Sequence, residues 1–116
     1  MSTLKVDTIQ DTNAVEMYLC KAWVNISGTG TISIRGSGNV SSLTDNGAGA
    51  YYVNFTNNMS DTNYSVVGTA GDNTTFTSRN TWCTTFTDST SRCAVATFDE
   101  TGGAQDRELI SVAVFR

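Results

Sequence analysis

Histidine and proline are both absent from this 116-residue chain, and cations are few, with seven Lys and Arg against eleven Asp and Glu. Without histidine the commonest general base, the Ser-His-Asp arrangement and most zinc sites are excluded at once. A net charge of −4 offers no cluster of Lys or Arg to attract nucleic acid or an anionic membrane surface, so neither is an expected partner. No apolar run approaches the roughly 20 residues that span a bilayer, and Met1–Asp7 lacks the apolar core of a signal peptide. The expectation is a chain made and folded in a cytoplasm. Cys20, Cys83 and Cys93 are odd in number and show no Cys-x-x-Cys spacing, which reads as free buried thiols. A hairpin turning near Asp88 to Ser91 would set Cys83 opposite Ala96 and not opposite Cys93, against a disulfide.

What is abundant is Thr, Ser, Asn and Gly, the palette of short strands and many turns, in a length that closes one modest core. The first stretch, residues 1–19, carries Leu4, Val6 and Ile9 separated by Lys, Asp, Thr and Gln. Such a strip cannot bury itself, so it reads as an anchoring arm that becomes ordered against a partner. Ala14 to Leu19 is ambiguous between a helical turn and a strand.

From Cys20 to Arg116 period-two runs recur between turn signals. Ala22, Val24 and Ile26 share one face against Trp23 and Asn25, and Gly28-Thr29-Gly30 ends the run. Ile32 and Ile34 alternate with Ser33 and Arg35, Gly36-Ser37-Gly38 reads as a turn, and Ser41-Ser42 breaks the next alternation as a bulge would. Asp45-Asn46-Gly47 is a strong turn signal ahead of Tyr51, Val53 and Phe55, the clearest half-buried strand. Tyr64, Val66 and Gly68 follow, with a turn at Asp72-Asn73; next come Trp82, Thr84 and Phe86 against Cys83 and Thr85, and Cys93, Val95 and Thr97 against Ala94, Ala96 and Phe98. The run Leu109 to Phe115 is apolar on both faces and reads as a central strand or as one covered by another subunit; Leu109, Ile110, Val112 and Val114 are the candidate subunit-interface residues. The predicted fold is all-β: one small antiparallel sandwich or barrel of about eight strands, residues 20–116, behind the arm.

Catalytic chemistry has little to stand on. Asp99, Glu100, Asp106 and Glu108 could bring two carboxylates within reach across a loop, but acids beside Gly102-Gly103 read more simply as a solvated turn. Gly28-Thr29-Gly30 lacks the third glycine and the following helix of a dinucleotide loop. Four Asn-x-Ser/Thr sequons arise from composition alone, and no calcium-loop spacing is present. No cofactor, no metal and no enzymatic activity are expected.

Lys5-Val6-Asp7-Thr8-Ile9-Gln10-Asp11-Thr12, Lys21-Ala22-Trp23-Val24-Asn25, Gly28-Thr29-Gly30-Thr31, Ile34-Arg35, Ser37-Gly38-Asn39-Val40-Ser41-Ser42, Thr44-Asp45-Asn46-Gly47, Tyr52-Val53-Asn54-Phe55-Thr56 and the ending Val112-Ala113-Val114-Phe115-Arg116 stand in this order along the chain. Together these blocks resemble tail-fibre-like proteins of cyanophages and related marine phages. The resemblance implies a virion component that works as a homotrimer, bound to other phage proteins through its arm and touching a host surface glycan or protein. No family pattern covers the stretch from about Val67 to Arg107, which marks it as the place for target contacts; Phe76, Arg79 and Trp82 are the candidate surface-binding residues there. Trp82 also lies in an alternating run, where such a residue more often belongs to the core. A capsid decoration protein, stapled to neighbouring subunits by the same arm, is the alternative to a fibre.

Overall fold

The computed structural model describes residues 2–72 and 82–116, so Phe76 and Arg79 lie outside the described residues. Eight antiparallel strands form: β1 (Cys20–Ser27), β2 (Ser33–Gly38), β3 (Val40–Asp45), β4 (Ala50–Phe55), β5 (Ser65–Gly71), β6 (Trp82–Thr87), β7 (Arg92–Phe98) and β8 (Leu109–Phe115). They make two four-stranded sheets in the orders β2-β1-β8-β5 and β3-β4-β7-β6, with no helix among the described residues. The sheets face one another as a sandwich.

Period-two alternation determines which side chains enter the core. Ala22, Val24 and Ile26 of β1 and Ile110, Val112 and Val114 of β8 point inward from one sheet, and they meet Tyr51, Val53 and Phe55 of β4 and Cys93 and Val95 of β7 from the other. Phe55 meets Tyr64 edge-on, ring centroids 5.8 Å apart. The buried Thr97 hydroxyl donates to the Gln105 carbonyl at 2.6 Å, so this one inward polar group is satisfied. Along one side the two sheets also meet directly, where the Thr85 hydroxyl of β6 donates to the Val66 carbonyl of β5 at 3.0 Å.

The expected bulge is present, as a register shift between Val40 and Ser42. The Asp45-Asn46-Gly47 turn is present too: Gly47 has φ 109°, and its N–H donates to the Asp45 carboxylate at 3.1 Å. Other expectations need correction. Gly36-Ser37-Gly38 is not a turn but part of β2, and the chain bends one residue later at Asn39, which adopts φ 56°, to enter β3 in the other sheet. The Asn39 side chain holds that bend by donating to the Lys21 and Asn57 carbonyls and accepting from the Asn57 N–H. The glycines serve a different need, since a Cβ at Gly38 would collide with the Trp23 ring that lies across it. Cys83 stands opposite Thr97, one residue from the expected Ala96, and all three cysteines are free.

The subunit-interface expectation is also corrected. Ile110, Val112 and Val114 are buried inside a single chain because β8 is a central strand between β1 and β5, and their side chains are spent on the core; only Leu109 is partly exposed.

Candidate functional site

The alternation that fills the core leaves a distinct outer face on β3-β4-β7-β6. Arg92, Ala94, Ala96 and Phe98 point outward from β7, Trp82, Thr84 and Phe86 from β6, and Ala50, Tyr52 and Asn54 from β4. Register aligns them in rows across the strands: Thr44, Tyr52, Ala94 and Phe86 form one, Ala50, Ala96 and Thr84 the next, and Phe98 with Trp82 the third. Two aromatic walls thus flank a floor of alanines. Between them runs a trough of about 340 Å³, lined by Tyr52, Phe86, Ala50, Ala94, Ala96 and Asn46 among others.

Phe86 and Trp82 are each 54% exposed. Trp82 is therefore a surface residue, as the binding reading of the sequence requires and the core reading does not. Tyr52 is held from behind, because the Arg92 guanidinium sits 3.8 Å from its ring centroid and donates through Nε to Asp88 at 2.6 Å. Farther along the face Asn54 donates to Ser42 and Thr44, which makes that end polar.

The opposite outer face, on β2-β1-β8-β5, is built around Trp23, which stands in one row with Gly38, Ala113 and Val67. A groove of about 370 Å³ lies between Trp23 and Val67 over Ser111 and Ala113, with no charged residue in its lining among the described residues. The Asn25 Oδ1 atom is buried beside it without a hydrogen-bond partner.

Residues 2–21 are exposed throughout. Leu4 is 85% exposed, and Val6, Ile9, Val15, Met17, Tyr18 and Leu19 are exposed as well. The segment is neither a helical turn nor one continuous strand: it folds back on itself, with Gln10 opposite Glu16 and the Met17 N–H donating to the Ile9 carbonyl at 2.7 Å. The Asp11 carboxylate closes the bend by accepting from the Asn13 and Val15 N–H groups, and Ala14 takes φ 61° there.

The acids singled out for catalysis collect near a polar hollow of about 550 Å³ lined by Asp72, Asp99, Glu100, Asp106 and Arg107. Three of these carboxylates are engaged in structural bonds. Asp99 accepts from the Thr101 hydroxyl and from the Thr101 and Gly103 N–H groups, which together hold it below the usual carboxylate range. Asp106 accepts from the Tyr51 hydroxyl and the Gly49 N–H. Asp72 pairs with the buried Arg107 at 3.1 Å, and Arg107 also donates to the Phe98 carbonyl. Outside this hollow, Glu108 lies 3.9 Å from Arg35. Among the described residues no group of three or more Cys, Asp or Glu is placed to hold a metal ion.

Comparison with protein-family models, with curated proteins and with solved structures returned no match. Of the candidate binding residues, Trp82 lies on the aromatic face, whereas its partners there, Tyr52 and Phe86, were not singled out; Phe86 shares Trp82's strand parity, and that was the available signal.

Proposed function

We propose that this chain is a non-enzymatic structural component of a tailed-phage particle, a tail-fibre-like β module fixed by its N-terminal segment and turned toward the host surface. The observation that carries the reading is the unpartnered apolar strip Leu4, Val6, Ile9, Val15, Met17, Tyr18 and Leu19, exposed on a segment outside a body whose core is already closed. A strip of this kind gains free energy by docking on a partner surface, and another protein of the particle would supply one. The sequence blocks that resemble phage tail-fibre proteins name the assembly, and they imply a homotrimer made in a bacterial cytoplasm and carried on the virion. The outer face around Trp23 and Val67, free of charge, suits the contact between subunits.

The alternative is decoration of the capsid, in which the same exposed segment would staple neighbouring subunits. Gold-labelled antibody against the body, viewed on intact particles by electron microscopy, separates the two. Label at the tail supports the fibre, label over the head supports decoration, and purified particles without label overturn both.

A further inference from the structure

We propose that the trough between Tyr52 and Phe86 binds a neutral saccharide, one pyranose ring standing on the Ala94 and Ala96 floor with its faces turned to the two aromatic side chains. The inference deepens the reading of the chain as a host-contacting module. Four features lead to it.

The first is shape. Tyr52 and Phe86 both pair with Ala94, one from each side, so their strands are two spacings apart, roughly 9.5 Å. Between them the floor rises no higher than a methyl group. A hollow with walls accepts a narrow occupant, and a second copy of the same hollow face would leave it unfilled.

The second is charge. Asp88 is the only charged residue lining the trough among the described residues, and its carboxylate is closed by Arg92 at 2.6 Å. No net charge remains to draw a phosphate, a uronate or a basic peptide, and the chain's overall −4 repels anions.

The third is the chemistry of the walls. One face of a pyranose presents C–H groups with partial positive charge, which match the negative face of an aromatic ring, while its hydroxyls point outward at the edge. Phe86, more than half exposed, gains cover from such an occupant.

The fourth is the rim. Tyr52 and Asn46 line the trough and bring to it a hydroxyl and a side-chain amide, a donor and acceptor set suited to sugar hydroxyls. An aliphatic ligand would leave both unused.

The test is titration of the full chain, followed by calorimetry and protein NMR, with neutral α- and β-linked tetrasaccharides of glucose, galactose and mannose at up to millimolar concentration. At least one series should bind, with Phe86→Ala and Tyr52→Ala each weakening it by at least about tenfold. Ser33→Ala, exposed on β2 of the opposite sheet, should leave affinity unchanged, and a uronate tetrasaccharide should bind less well than its neutral counterpart. Phe86 is exposed, so Phe86→Ala should melt within a degree or two of the parent. Absence of binding to every neutral series, undiminished binding by Phe86→Ala, or a change in oligomeric mass on that substitution would each overturn the proposal, the last by making the face a subunit contact. Saccharide binding by a protein missing from particles would keep the site and remove the phage role; a particle component that ignores every saccharide would do the reverse.

Discussion

The Tyr51 hydroxyl lies 2.6 Å from the Asp106 carboxylate, a bond that ties the buried end of β4 to the loop leading into β8 and so joins one sheet to the approach of the other. Burial first, and the Asp106 bond second, push the Tyr51 pKa well above the phenol range. The same carboxylate oxygen takes the Gly49 N–H at 2.7 Å, where Gly49 has φ 65° and a Cβ would collide with the Thr97 carbonyl.

Removing either partner should therefore cost stability, and unequally. Tyr51→Phe removes the hydroxyl that reaches both Asp106 and the Gly28 carbonyl, roughly 1.5 kcal/mol, while Asp106→Ala strands the Gly49 N–H and leaves the phenol only the Gly28 carbonyl at 3.0 Å, about 3 kcal/mol. Urea unfolding of the two single variants and the double variant gives the coupling directly; additive losses would show that the bond does not join the sheets.

A second prediction concerns acid. Arg116 hydrogen-bonds Asp61 through Nε at 2.8 Å and NH2 at 2.6 Å, and with the Asn63 N–H this brings the Asp61 carboxyl down to about 2 from 3.8. A depressed carboxylate stabilises the fold above its unfolded pKa and loses that contribution as pH falls through the folded value. The contribution should be complete at pH 5 and fade from about pH 4 to 2. Asp61→Asn has none of it to lose, so its melting temperature should fall less than the parent's across that window, as calorimetry at stepped pH will read. Parallel curves would refute the pairing.

The thiols supply a third. Burial pushes Cys93 up to about 12 and raises Cys83 as well, whereas Cys20 is exposed at the start of β1. Iodoacetamide at pH 8 should alkylate native protein first at Cys20, with Cys93 protected until denaturant is added. Intact-mass and peptide analysis reports the order; early labelling of Cys93 would mean that the core between β4 and β7 opens readily.

The N-terminal segment gives the fourth. None of residues 2–19 belongs to the buried core, so deleting residues 1–15 should leave the unfolding curve of the body nearly unchanged. Leu4→Asp with Ile9→Asp should give folded protein that is absent from purified particles, because each apolar side chain gains about 1.5–3 kcal/mol on burial and the substitution removes two such gains per chain. Normal incorporation would assign the connection to the body.

Alternation alone made β1, β4 and β7 legible, since Ala22, Tyr51 and Cys93 each open a period-two series that ends up inside. The bulge at Ser41-Ser42 and the turn at Asp45 were legible for the same local reason. Gly36 and Gly38 misled because a glycine marks either backbone freedom or a need for space, and only the fold reveals the Trp23 ring above them. β8 stayed ambiguous for a related reason: a strand apolar on both faces reads from sequence either as a central strand or as one covered by a second chain, and the fold makes it central, with Ile110, Val112 and Val114 turned to the facing sheet. The trough stayed hidden because it depends on the register of β4, β7 and β6, and β4 and β7 are far apart in sequence.

The pairing of Cys20 with Phe115 bears on how the molecule comes to exist. Strand β1 is formed early in synthesis, but its central neighbour β8 is the last strand of the sequence, and at about 5–20 residues per second the stretch from Gly28 to Glu108 takes roughly 4–16 s to emerge. Through that interval β1 has only β2 beside it in its sheet, with Ala22, Val24 and Ile26 uncovered by β8. Closing so long a loop places folding at the slow, millisecond-to-second end for domains of this size. Until β8 has been made and has docked, the inner face of β1 stays open to other chains, so crowded or hot synthesis should lose material to aggregation before that strand arrives.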